Sequence, residues 1–162
     1  MTQPLRLYLV RHGKAERDAP SGRDEDRPLA ERGERQAVWL GRAIAQLPRA
    51  DRPTVIHASP AARASATAQI LQRQLQVDLR FEEALRLGAA LDASIGVVRD
   101  IIGRAEQAMI VGHNPTLEVM LELLTGDDDC AMRTGEAAVL HSAAPDVGTG
   151  AWRLMTRMRM DD

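Results

Sequence analysis

Short apolar runs alternate with amphipathic stretches along this chain, and the period of each run predicts an element. Leu5–Val10 is short and largely apolar, as a buried strand should be. Between Leu29 and Leu47 the apolar positions Ala37, Leu40, Ile44 and Leu47 keep a helical period. Pro53 interrupts it, and Thr54–Ala58 reads as a second strand. Ser59-Pro60 has the form of an N-cap followed by a first-turn proline, which predicts a helix to about Leu75. Val77–Phe81 alternates as a third strand, and Leu91, Ile95, Val98 and Ile102 mark the stripe of another helix. Gln107–Val111 is a fourth strand. Asn114-Pro115 repeats the cap-then-proline pattern before a helix with Leu117, Met120, Leu121 and Leu124 on one face. Glu136–His141 and Ala151–Met155 predict two closing strands. Strand–helix four times, then two strands, implies α/β architecture: a three-layer α/β/α sandwich with a mostly parallel sheet. With no repeat or linker in 162 residues, one domain over 1–162 is expected.

In open sheets of this class, ligands bind beyond the carboxyl ends of the strands. The residues just past each predicted strand are therefore candidates for a site. The first strand delivers Arg11-His12-Gly13, the second Ser59-Pro60 with Arg63 a turn further on, and the fourth Gly112-His113-Asn114-Pro115. Two helix N-termini, with their unpaired N–H groups and partial positive charge, share that rim with two histidines and two arginines. The chemistry implied is anion binding around a nucleophile. Gly13–Arg27 is a polar loop of a length that is uncommon in a compact domain unless it has a function.

Composition removes several alternatives. A net charge of -2 gives no global pull toward nucleic acid or an anionic membrane, and four aromatic residues leave little to stack on bases. No apolar run approaches the roughly 20 residues of a membrane span, and Leu7–Val10 is too short for a signal peptide, so a cytoplasmic location is expected. One cysteine, Cys130, cannot form an internal disulfide. It comes directly after Asp127-Asp128-Asp129, whose charges disfavour a thiolate. Twenty of the 21 cations are arginine, whose planar fork suits phosphate; Lys14 is expected to be solvated. His57 reads as a core or supporting residue and His141 as structural.

Arg11-His12-Gly13 resembles the signature of the histidine phosphatase superfamily. Arg27-Pro28-Leu29, Gly112-His113-Asn114-Pro115 and the compact length look most like its SixA-type phosphohistidine phosphatases. The resemblance runs from the first strand to Thr134-Gly135. It implies a phosphoglycerate mutase-like fold with one antiparallel edge, and a single histidine phosphatase domain. It also implies that His12 takes the phosphoryl group as a covalent phosphohistidine. Arg11, Arg63 and His113 would grip the equatorial oxygens, and Arg27 would join them from the long loop. That division of labour is physically sensible, since a phosphoryl transition state needs fixed cations around three oxygens. Neutral imidazole is a good nucleophile near pH 7, so His12 is expected neutral and His113 protonated. No metal or other cofactor is implied.

Relatives of this kind place an acid just after the third strand. Glu82 and Glu83 qualify there, and Asp24 and Asp26 precede Arg27; the sequence does not choose among the four. Only 50 positions separate Arg63 from His113, and a helix remainder, a strand and a helix use them up. No lid insertion fits, so an uncovered site for phosphohistidine on a protein is expected. The alternatives are a phosphatase for a small phosphate ester and a weakly active phosphohistidine-binding module. No nucleic-acid or membrane partner is expected.

Overall fold

β1 (Leu5–Arg11) lies inside the sheet, between β4 (Ala108–Gly112) and β5 (Ala137–Ser142). This explains its lack of polar alternation: Leu7, Tyr8, Leu9 and Val10 are all fully buried. A computed structural model describes residues 3–162. Its six strands run in the order β3-β2-β4-β1-β5-β6, with β2 at Val55–Ala58, β3 at Asp78–Phe81 and β6 at Arg153–Met158. The first four strands pair in parallel. β5 is antiparallel to β1, and β6 to β5, so the antiparallel edge is a two-stranded unit.

Helices cover both faces. Leu5, Leu7 and Leu9 pack toward α3 (Leu91–Gly103) and α4 (Thr116–Thr125), with Val98, Ile101, Leu117 and Met120. Tyr8 and Val10 point the other way, into α1 (Glu31–Ala45) and α2 (Ala62–Leu75), with Leu40, Ile44 and Leu71. The alternation along one strand thus supplies two cores, each buried leucine contributing roughly 1.5–3 kcal/mol.

The boundaries differ from the expected ones for identifiable reasons. β6 starts at Arg153 instead of Ala151 because Trp152 is engaged elsewhere. It is buried, its indole N–H donates to the Asp146 carbonyl at 2.8 Å, and its amide donates to the Leu124 carbonyl. Neither Ser59 nor Asn114 is the expected N-cap, and neither proline begins a helix. α2 starts at Ala62, and Ser59 Oγ accepts from the Ala61 amide at 3.3 Å. Asn114 Nδ2 donates instead to Glu118 Oε1 and the Met132 carbonyl, tying α4 to the loop before β5. Asn114 is drawn off by the Met132 carbonyl, 18 residues on, and Ser59 by His113, whose Nε2 is 2.8 Å from its Oγ.

The turn after β1 is pressed against the start of α1. A Cβ on Gly33 would sit 2.1 Å from the Lys14 carbonyl oxygen, and one on Gly13 would sit 2.6 Å from the Gly33 oxygen. Both obstacles are backbone and cannot rotate away. Gly33→Ala is expected to cost about 3 kcal/mol and lower Tm by roughly 6–12 °C, as read by a thermal melt. A melt within about 1 °C of wild type would contradict this packing.

Candidate active site

The carboxyl end of β1 brings Arg11 and His12 to the rim, where the His12 amide donates to the Gly112 carbonyl at the end of β4. The next residue of β4's exit, His113, lies beside it: the two imidazole rings are 5.2 Å apart, centre to centre. His12 Nδ1 is 2.7 Å from the Gly13 carbonyl oxygen. A carbonyl only accepts, so Nδ1 carries the ring proton and Nε2 keeps its lone pair. Arg63, from the first turn of α2, reaches that lone pair: its Nε donates to His12 Nε2 at 3.2 Å. The sequence-distant histidine and arginine do meet, although Arg63 is only 2% exposed.

The remaining donors of Arg63 face the long loop. Nη1 donates to the Asp24 carbonyl at 2.8 Å and Nη2 to Asp24 Oδ2 at 3.0 Å. Arg27 joins from the same loop, its Nε donating to Asp24 Oδ1 at 2.9 Å and its Nη1 to the Glu16 carbonyl. Arg11 sends Nη1 to the Met132 carbonyl at 3.0 Å. Its Nε and the Nδ1 of His113 are buried with no hydrogen-bond partner. Orphaned buried polar atoms are costly, and an oxyanion would satisfy donors there.

Of the four candidate acids, only Asp24 contacts these arginines. Glu82 is held by His57, whose Nδ1–H donates to its Oε1 at 2.9 Å. Glu83 pairs with Arg86, and Asp26 accepts from Ser21 Oγ. Asp24 itself sits below the ordinary carboxylate range: its slight burial would raise it, but Arg63 and then Arg27 outweigh that. It is therefore ionised near neutral pH.

Burial pushes His12 down to about 4; the Gly13 contact opposes this, and the charges of Arg63, Arg11 and Arg27 reinforce it. His113 is pushed down to about 3, again chiefly by burial, then by His12 and Arg63. His12 is thus neutral as expected. The expected protonation of His113 depends on a phosphate to stabilise its charge; burial and the neighbouring cations by themselves favour the neutral ring.

These shifts fix the sign of a pH dependence. Both histidines are near 6.5 in the unfolded chain, which therefore binds more protons than the native state as pH falls below that value. Their burial leaves stability intact above about pH 6.5 and erodes it down toward pH 3. His113→Asn should reduce the loss between about pH 7 and pH 5 by roughly 2 kcal/mol. Urea denaturation at both pH values checks this, and equal losses in the two proteins would contradict it.

Several site contacts have no local sequence signal. Ser59 Oγ is hydrogen-bonded to His113 Nε2 at 2.8 Å. Thr67 Oγ1 accepts from the Gly13 amide and donates to the Arg63 carbonyl one helical turn back, clamping the β1 turn onto α2. The i, i+4 spacing of Arg63 and Thr67 was the one available clue. His57 is buried, Lys14 is exposed, and burial raises the Cys130 thiol. All three agree with the sequence-based expectation.

Imidazoles and guanidinium groups converging at the strand ends of an α/β sheet define a phosphate-handling class of site. The model of the histidine phosphatase superfamily (branch 1) matches residues 7–86. A crystal structure from Agrobacterium tumefaciens, assigned as the phosphohistidine phosphatase SixA, is 32% identical over 94% of this chain and 96% of its own, with a TM-score of 0.80. A mycobacterial glucosyl-3-phosphoglycerate phosphatase, 18% identical over 93% and 97% of the two chains, shares the fold with a TM-score of 0.73. An uncharacterized chloroplastic protein of Arabidopsis thaliana is 28% identical over 92% of this chain and 75% of its own. The chain belongs to the histidine phosphatase superfamily and is a phosphatase.

Proposed function

We propose that this phosphatase removes the phosphoryl group from phosphohistidine carried on a protein, by way of a covalent phosphohistidine at His12. The observation that carries the mechanism is the His12 ring itself. Its Nδ1 proton is committed to the Gly13 carbonyl, leaving an unprotonated Nε2 beside a buried guanidinium. In the first step the Nε2 lone pair attacks phosphorus while the bond to the leaving group breaks. Arg11, Arg63, Arg27 and His113 offset the charge on the three equatorial oxygens. A substrate imidazole that carries a proton on its other ring nitrogen leaves as neutral imidazole and needs no acid, and Asp24 is the carboxylate nearest the cradle for an ester oxygen. Water then attacks phosphorus as the N–P bond breaks, its protons go to the released phosphate, and His12 is left neutral with its Nδ1 proton in place.

Two observations support a protein substrate. The chain between Arg63 and His113 is taken up by the rest of α2, β3, a 3-10 turn at Glu83–Leu85, α3 and β4, so no inserted segment covers the mouth. The Agrobacterium protein, assigned to phosphohistidine, has nearly the same length and fold. A panel of phosphohistidine-bearing protein, phosphoserine, phosphotyrosine and sugar phosphates tests the assignment. The phosphohistidine protein should give a kcat/KM at least about tenfold above every other member. Much faster cleavage of a small ester would instead make this a metabolite phosphatase.

A further inference from the structure

Each of the three guanidinium nitrogens of Arg63 already makes a hydrogen bond. One nitrogen caps the His12 lone pair, and the other two grip Asp24 through both its carbonyl and its carboxylate. Arg27 holds the second oxygen of the same carboxylate. The short 3-10 turn Asp24–Asp26 that carries it is fastened outside as well. Glu25 accepts from Arg86 at 2.8 Å across the mouth and is ion-paired with Arg23. A cleft of about 400 Å³ lies alongside, lined by Arg23, Asp24, Glu25, Arg63, Arg86 and Leu87. The Asp24 side chain is 56% exposed, so its carboxylate has room to swing toward that cleft once its hydrogen bonds to Arg63 and Arg27 are exchanged.

We infer that Asp24 is a built-in competitor for the phosphoryl group, holding Arg63 closed over His12 until the substrate's phosphoryl oxygens displace it. This rests on the phosphate-site assignment above and adds a control element to it. A tethered carboxylate competes at the high effective concentration of an intramolecular ligand. An incoming group must therefore offer Arg63 and Arg27 more than a carboxylate does. A terminal phosphoryl group brings three free oxygens and up to two charges, whereas a diester brings two oxygens and one charge. Asp24 thus sets a threshold that both classes must exceed, weakening the apparent affinity of each by the same factor.

The test compares two tetrahedral anions of similar size and different charge, tungstate and perrhenate, binding by calorimetry to wild type, Asp24→Ala and Asp24→Asn. When a closed state must open first, the apparent Kd is the intrinsic one divided by the open fraction. Removing the plug therefore tightens both anions by the same factor, expected to be about tenfold for a site closed roughly nine-tenths of the time. Asn, which can still accept from Arg63 but carries no charge, should fall between. If Asp24 were only a neighbouring charge, the gain for the dianion would be about the square of the gain for the monoanion. That pattern, or no tightening of perrhenate, overturns the inference. Wild type binding both anions with unchanged affinity in the variants removes the plug but keeps the site. Failure of all three proteins to bind either anion removes both.

Discussion

Alanine at position 12 is expected to abolish turnover while leaving the chain folded. His12 supplies the only unprotonated ring nitrogen in contact with Arg63, and no other described nucleophile shares that position. The Cys130 thiol is buried, raised, and hydrogen-bonded to the Asp127 carbonyl. Loss of a covalent nucleophile costs roughly a millionfold in kcat on the scale set by serine proteases. The fold should tolerate the change at neutral pH at the modest cost of a cavity, and in acid the truncation removes the penalty of burying an imidazole that would otherwise take up a proton. Tungstate binding should survive, because the arginines remain. Residual phosphatase activity above about one thousandth of wild type, measured with phosphohistidine protein, would place the chemistry elsewhere.

Arg63→Lys should be the next most damaging change. Lysine keeps one positive charge but loses the planar fork that contacts His12 Nε2 and Asp24 together. The expected loss is about 100- to 1000-fold in kcat, the range for removing one transition-state donor. A shorter-reaching Ala would add a stability cost of about 2 kcal/mol, because the site is buried and the Asp24 carbonyl would lose its partner. The discriminating measurement is kcat against KM. A rise in KM alone would mean that Arg63 holds substrate and transition state equally, contrary to the geometry.

Much of this architecture was legible because its causes are local. β1 has no polar alternation because it is covered on both faces, and α4 shows its stripe because only one side packs. His12, Arg63 and His113 could be placed together from strand ends alone, since the parallel sheet carries them all to one rim. The features that escaped were set by partners far away in the chain. Ser59 and Asn114 looked like caps and became tertiary donors or acceptors, and Trp152 left the strand to bury its ring. The choice among Asp24, Asp26, Glu82 and Glu83 depended on which carboxylate reaches Arg63. That distance closes across 39 residues and has no periodicity to betray it.

The proposed mechanism centres on a phosphoryl group held by one nitrogen of the His12 ring, and trapping it is the most direct measurement. Enzyme mixed with phosphohistidine protein, quenched in alkali within milliseconds and mapped by mass spectrometry, should carry one acid-labile phosphate on His12 at Nε2. His12→Ala should carry none. A phosphate on any other residue, or free phosphate released with no modified enzyme at any time point, would contradict covalent catalysis at His12.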